Sequence, residues 1–260
     1  MIHRTRRVDG AIGGALASAR VKNRRATLGV WVLGALVCGC YGNEDTPFPP
    51  GLEPWEATNA AALPAATAAA TFPETLSYVE RTFTEPGTTT DAPSVHARAY
   101  IQMSPHDVWL ALRDPQTARD PTSTDAWSVV AWATEPTYTY SLRTHTTVHS
   151  LITLEWDMDW RLGIVQGTND APIVAAARWQ KVSGTTVLQV LEGSIVLRAV
   201  TGQPTVTEVD YQYHLKSSFS GYGAIESYLQ VIYGRLRDRA HGRPLSPNDC
   251  AGCPAPPAGY

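Results

Sequence analysis

Two groups of side chains have the types and spacing to do chemistry. His145, Thr147 and His149 share strand parity, and Glu155, Asp157 and Asp159 form an acidic stripe close by in sequence. Imidazoles beside carboxylates make either a zinc-type ligand set or an acid–base pair, provided the side chains converge in a pocket. The opposite parity, Ile152, Leu154, Trp156, Met158, Trp160 and Leu162, is plainly the apolar one, so the polar stripe reads first as the solvated face of a sheet. His214 also falls on the polar face of its strand, with nothing in the sequence to single it out. Cys250 and Cys253 form the second group, a CxxC in SPNDCAGCPAPPAGY. Redox use of that spacing needs a helix N-terminus beside a βαβ unit, and structural zinc needs four ligands. In a Pro-rich tail the pair is expected to close a small disulfide loop. The chain has no G-x-S-x-G elbow, P-loop, G-x-G-x-x-G or HExxH. No catalytic residue, metal ligand or cofactor is therefore assigned.

The elements that must position these groups follow from hydrophobic period. Val95, Ala97, Ala99, Ile101 and Met103 alternate with His96, Arg98, Tyr100 and Gln102, the pattern of a half-buried strand. Ser104-Pro105-His106-Asp107 supplies an N-cap serine, proline at the first helical position and an acid three residues after the cap, so a helix starts there and ends at Asp114-Pro115. From Trp127 onward strands follow one another, with turn signals at 167–170, 183–184 and 201–204. The stretch Thr137 to Val165 would exceed roughly 90 Å as one strand, so a break is expected near His149 or Ser150. Ile225, Leu229, Ile232, Leu236 and Ala240 then recur at helical spacing before Gly242, predicting one helix from Gly221 to His241, about 30 Å long.

The N-terminal part reads differently. Arg20, Lys22, Arg24 and Arg25 precede an uncharged run from Ala26 to Gly39, too short to span a bilayer, which ends in Cys40. Val37-Cys38-Gly39-Cys40 resembles the bacterial lipobox, which implies export, cleavage and a lipidated Cys40 at the mature N-terminus. Translation is expected to begin at Val21. Tyr41, rather than Asp, after the cysteine implies the outer membrane by the same resemblance. This segment holds seven of the 21 Lys and Arg and one of the 24 acids, leaving 14 basic and 23 acidic residues, a net charge of −9. Such an acidic remainder excludes binding nucleic acid by charge. The expected organisation is an export signal over 1–39, a lipidated cysteine and Ala/Pro/Thr tether over 40–93 with Glu74 to Phe83 open to forming a short helix or edge element, a folded domain over 94–245, and the CxxC tail over 246–260.

The element order resembles the helix-grip fold of the START-like (SRPBCC) superfamily, which includes polyketide cyclases, lipid-transfer domains and birch-pollen-type allergens. VHARAYIQMSPHDVWLALRDP is similar to its first strand and small-Pro-x-x-Val-Trp motif; TVTEVDYQYHLKSS followed by GYGAIESYLQVIYGRLRDRAHG is similar to its last strand and gripping helix. The resemblance implies an α+β fold in which a curved antiparallel sheet of six or seven strands wraps a long C-terminal helix. One apolar stripe cannot fill such a sheet, so a cavity is expected under the helix, lined by Trp109, Trp156, Trp160, Tyr211, Tyr213, Ile225, Leu229 and Ile232. The function this implies is a membrane-tethered carrier or sensor of a hydrophobic small molecule or lipid. The alternatives are a cyclase- or hydrolase-like enzyme using His145, His149 and the nearby carboxylates, or an envelope protein-interaction module.

Overall fold

A computed structural model describes residues 47–56, 72–85, 87–218, 221–245, 255 and 257–258. The export segment with Val21 and Cys40, and the Cys250–Cys253 pair, lie outside them. Eight strands form one antiparallel sheet: β1 Ser77–Thr84, β2 Asp91–Ile101, β3 Ala126–Trp132, β4 Tyr140–His149, β5 Thr153–Gly167, β6 Pro172–Gly184, β7 Leu188–Val200 and β8 Gln203–Ser217. Their spatial order is β1-β2-β8-β7-β6-β5-β4-β3. All neighbours except β2 and β8 are consecutive in sequence, so the sheet is a run of hairpins closed by pairing an early strand with the last one. Register slips at Val129/Ala131, Asp157/Met158 and Ile164/Gln166 are bulges, which bend and twist the strands that carry them. The break expected between Thr137 and Val165 falls at residues 150–152, between β4 and β5.

Helix α1, Pro105–Arg113, starts as its sequence predicts: the Ser104 hydroxyl accepts the Asp107 backbone N–H at 3.2 Å. A single 3-10 turn, Pro115–Ala118, follows. Helix α2, Tyr222–Ala240, buries Ile225, Leu229, Ile232, Leu236 and Ala240 against one face of the sheet, here called the inner face. Three hydrogen bonds fix its height: Tyr233 Oη to the Tyr100 carbonyl at 2.7 Å, Arg235 Nε to that of Gln116 at 2.9 Å, and Tyr228 Oη to that of Ala118 at 2.9 Å.

Three expectations change. The sheet has eight strands, not six or seven, because Ser77–Thr84, expected as tether, pairs along the outer edge of β2. The domain therefore begins before Ser94. Residues 47–56, also expected as tether, lie on the outer face of the sheet: Leu52 is buried, its methyl over Gly163, where a Cβ would come within 2.8 Å of it. As a result β2 and β8 are covered on both faces, and the polar parity expected to meet solvent is buried at Ser94, His96, Asp210, Gln212 and His214.

Gly193 on β7 shows how closely the inner face is packed. A Cβ there would lie 2.2 Å from Trp179 Cζ2 and 2.7 Å from the Gln212 carbonyl oxygen, and Trp179 is locked in a stack with Trp160 at 4.9 Å between ring centroids. Gly193→Ala is expected to lower stability by about 1–3 kcal/mol through overpacking. Urea denaturation is the check, and a midpoint equal to wild type would contradict this account of the packing.

Candidate functional site

The N-terminal half of α2, the segment 118–124 and the inner faces of β3, β4, β5, β7 and β8 surround a cavity of about 250 Å³. Its walls are mostly apolar and aromatic: Trp127, Trp156, Met158, Trp160, Leu191, Tyr213 and Tyr228, with Thr144, Thr146, Ser217 and Asp120 as polar points. The void follows from geometry. Ala224 and Ile225 of α2 face it with short side chains, and Tyr228 is drawn aside by its bond to the Ala118 carbonyl. Opposite, the stack of Trp160 on Trp179 and the 5.9 Å approach of Trp179 to Tyr213 make a rigid aromatic floor. The Trp160 indole N–H donates to Thr144 Oγ1 at 3.1 Å, which holds the ring flat against β4. The fold is a helix-grip one. Strand order, closure by β2 and β8 and the helix across the inner face decide this.

No protein-family model matches the chain, and no curated protein matches it in sequence. Solved structures of similar fold include the protein TTHA0849 from Thermus thermophilus, at 16% identity and TM-score 0.41 over 58% of this chain and 98% of that one. A START superfamily protein from Mycobacterium smegmatis gives 10% and 0.40 over 57% and 97%. The human StAR-related lipid transfer protein 5 gives 10% and 0.44 over 64% and 82%. These likenesses concern the fold alone.

Of the residues expected to face the cavity, Trp156, Trp160, Tyr213 and Ile225 line it. Tyr211 and Ile232 border a separate void of about 20 Å³ farther along α2, and Leu229 is buried but lines neither. Trp109 is a correction: it packs in the core at 5.7 Å from the Tyr140 ring, with its indole N–H donating to Asn169 Oδ1 at 3.3 Å. Helix α1 turns its apolar stripe toward the far end of the sheet, so Trp109 serves packing. Sequence reasoning missed Trp127, Tyr228 and Asp120. Tyr228 was readable in principle, three residues after Ile225 on the same helix face.

His145 and His149 share the parity opposite to the cavity-lining Thr144 and Thr146 and lie on the outer face. His145 Nδ1 meets Asp157 Oδ1 at 2.8 Å, and Ser183 donates to Asp157 Oδ2 at 2.7 Å. Burial works to raise the Asp157 pKa, but those two partners outweigh it and the net shift is downward. Asp159 is neutralised by Arg143 through bonds of 2.6 and 2.7 Å, and Glu155 faces solvent. His149 is exposed beside Thr153. The stripe is a set of cross-strand pairs, with no pocket into which it converges. Among the described residues no group of three or more His, Cys, Asp or Glu side chains is placed to hold a metal ion.

A second polar cluster has a different character. On the outer face His214 Nδ1 meets Glu192 Oε1 at 3.0 Å, and its Nε2 meets Glu56 Oε1 at 3.1 Å; the other oxygen of Glu56 is bonded to His96 Nε2. Glu56 belongs to the stretch read as tether. Burial alone would raise its pKa, but His214 and His96 bring it down to about 2. His214 behaves in the opposite sense. Burial disfavours its charge, yet its bonds to Glu192 and Glu56 raise its pKa overall.

The phenols under α2 have a measurable consequence. Burial, reinforced by the negative charge of Asp120, pushes the pKa of Tyr213 and Tyr228 upward, and burial likewise raises Tyr211 and Tyr233. Unfolded tyrosine loses its proton near pH 10 while these keep theirs. Stability should therefore fall above pH 10, by up to about 1.4 kcal/mol per pH unit for each such residue. An ultraviolet titration should show these four silent until the fold is lost. Complete ionisation of all tyrosines near pH 10 in the folded protein would refute this.

Proposed function

We propose that this chain is a carrier or sensor that holds a hydrophobic small molecule under the N-terminal half of α2. The observation behind this reading is the cavity of about 250 Å³, walled by five aromatic residues and polar at only a few points. Ligand sites are typically concave and apolar with a few orienting polar groups, and this volume lies just below their usual range of roughly 300–1,000 Å³. A compact ring system or a single short chain fits that space. A lipid with two long acyl chains would require α2 to lift. Apolar transfer from water supplies the affinity, at about 25 cal/mol per Å² of buried surface, and the threonine hydroxyls and Asp120 orient polar substituents.

The test uses N-phenyl-1-naphthylamine, whose fluorescence rises in apolar surroundings. Saturable binding to the purified protein is expected, weakened tenfold or more by Val187→Trp. Val187 is a half-buried wall residue in the turn before β7, so a large ring there fills the cavity without entering the packed core. Absence of saturable binding, or an unchanged affinity in that variant at unchanged stability, would overturn the reading.

The lipobox-like Val37-Cys38-Gly39-Cys40 supports placing this domain at a membrane, exported and held in the cell envelope through a lipidated Cys40. Radiolabelled palmitate should enter the chain and be lost on Cys40→Ser, with the variant appearing in the soluble fraction. Equal labelling of that variant would exclude Cys40 as the anchor.

A further inference from the structure

Residues 47–56 meet the outer face of the sheet through contacts built for them. Gln212 on β8 grips both backbone groups of Glu56: its Oε1 accepts the Glu56 N–H at 2.8 Å and its Nε2 donates to the Glu56 carbonyl at 2.7 Å. The Trp55 indole N–H donates to the Gly193 carbonyl at 3.0 Å, and the Arg178 guanidinium lies 3.6 Å above the Trp55 ring. Arg178 also donates to the Glu53 carbonyl at 3.2 Å, and Tyr138 to that of Pro50 at 3.1 Å. Gly163 leaves the space that Leu52 fills.

The Glu56 carboxylate ends this strap at His214, and the proton count there decides how firmly it is held. Each nitrogen of His214 faces a carboxylate oxygen, Glu192 on one side and Glu56 on the other. A neutral imidazole has one N–H, whereas imidazolium has two. Only the charged ring can donate to both acids. When it loses its proton, one lone pair confronts one carboxylate. Glu192 is fixed to His214 as its cross-strand partner on β7, while Glu56 lies outside the sheet's strands. Phe83 of β1 stacks on the ring at 4.1 Å and Trp55 lies at 6.1 Å; the burial they give works against the charge and is outweighed by the two acids, while His96 of β2 binds the far oxygen of Glu56.

We propose that Pro47–Glu56 is a proton-operated strap, locked to the outer face of the sheet when His214 is charged and released when it becomes neutral. The direction follows from linkage. A histidine whose folded pKa is raised gives stabilisation that is complete below its unfolded value, about 6.5, and is lost as pH rises through the folded value. Glu56 sets the acid limit, since its contribution is complete above about 4.5 and is lost as pH falls toward about 2. The strap is therefore held most firmly in mildly acidic conditions and opens on the alkaline side.

The test is hydrogen exchange by mass spectrometry on the full chain from pH 5.5 to 9, each rate divided by the intrinsic rate at that pH. The amides of Trp55 and Glu56, bonded to Ser194 and Gln212, report the strap, and those of β5 and β6 report the fold. In the wild type, strap protection should fall by up to about tenfold per pH unit as pH rises from about 6.5 to the raised His214 pKa and level off beyond it, while β5 and β6 stay protected. Glu192→Gln removes the competing acid, so a neutral His214 can accept from the new amide and keep donating to Glu56; its strap should stay protected at pH 9. Constant wild-type protection, the same alkaline loss in Glu192→Gln, or parallel loss in β5 and β6 would each overturn the proposal. None of these readouts depends on a ligand in the cavity.

Discussion

Strand β8 is buried on both faces, and the rest of the molecule is arranged around that constraint. It pairs with β2 on one side and β7 on the other, which joins the first part of the domain to the last and leaves neither strand a free edge in the middle of the sheet. Because successive side chains point to opposite faces, its residues serve two environments in alternation. Tyr211, Tyr213 and Leu215 face α2, while Asp210, Gln212 and His214 face outward, and all six are less than a tenth exposed. The inner set obeys hydrophobic burial. The outer set must be satisfied by hydrogen bonds, since an unpaired buried polar group costs about as much as a lost hydrogen bond or more.

That requirement explains why the outer face is covered by chain from outside the sheet. Asp210 is met by Arg98 at 2.8 Å, with Arg198 at 3.7 Å. Gln212 is met by the backbone of Glu56, and His214 by Glu56 and Glu192. Remove residues 47–56 and Gln212 loses two backbone partners while the Glu192–His214 pair is opened to water. Burial of these groups and docking of the strap are thus one event. The aromatic cover from Trp55 and Phe83 supplies the apolar area that makes it favourable.

The parts of this architecture written in local pattern were legible in the sequence. Period-two alternation marked β2, β5 and β8, turn signals bounded β6 and β7, Ser104-Pro105 placed the start of α1, and the Ile225-Leu229-Ile232-Leu236 spacing gave α2 and its buried face. Three wall residues of the cavity, Trp156, Trp160 and Tyr213, followed from strand parity, and Ile225 from the helical spacing. What failed depended on contacts distant in sequence. Phe72 to Pro93 is rich in Thr and Pro and has weak alternation, so Glu74 to Phe83 reads only as a short helix or edge element until its pairing with β2 makes it a strand. His214 looked like any polar strand residue because its burial comes from Glu56, 158 positions away. The one local sign was Pro54-Trp55-Glu56, a large aromatic beside an acid in an otherwise Ala-, Pro- and Thr-rich stretch, where a tether has no use for a tryptophan.

Strap and cavity lie on opposite faces of the same strand, so the two proposals concern different properties of one domain. On these proposals the cavity sets what is held and the strap sets where the domain sits. On the reading that Cys40 is the anchor, only six residues separate it from Pro47. With the strap locked, that leaves a contour of roughly 20 Å between membrane and sheet. With the strap released, the next described contact with the sheet is at Phe72, packed on Tyr100, and the same estimate gives a contour of about 100 Å. The proton on His214 would then decide whether a domain carrying an apolar molecule is confined to the membrane surface or free to range from it. A charge balance of one imidazolium against two carboxylates suffices for this, because the strap is the only member of the trio not built into the sheet.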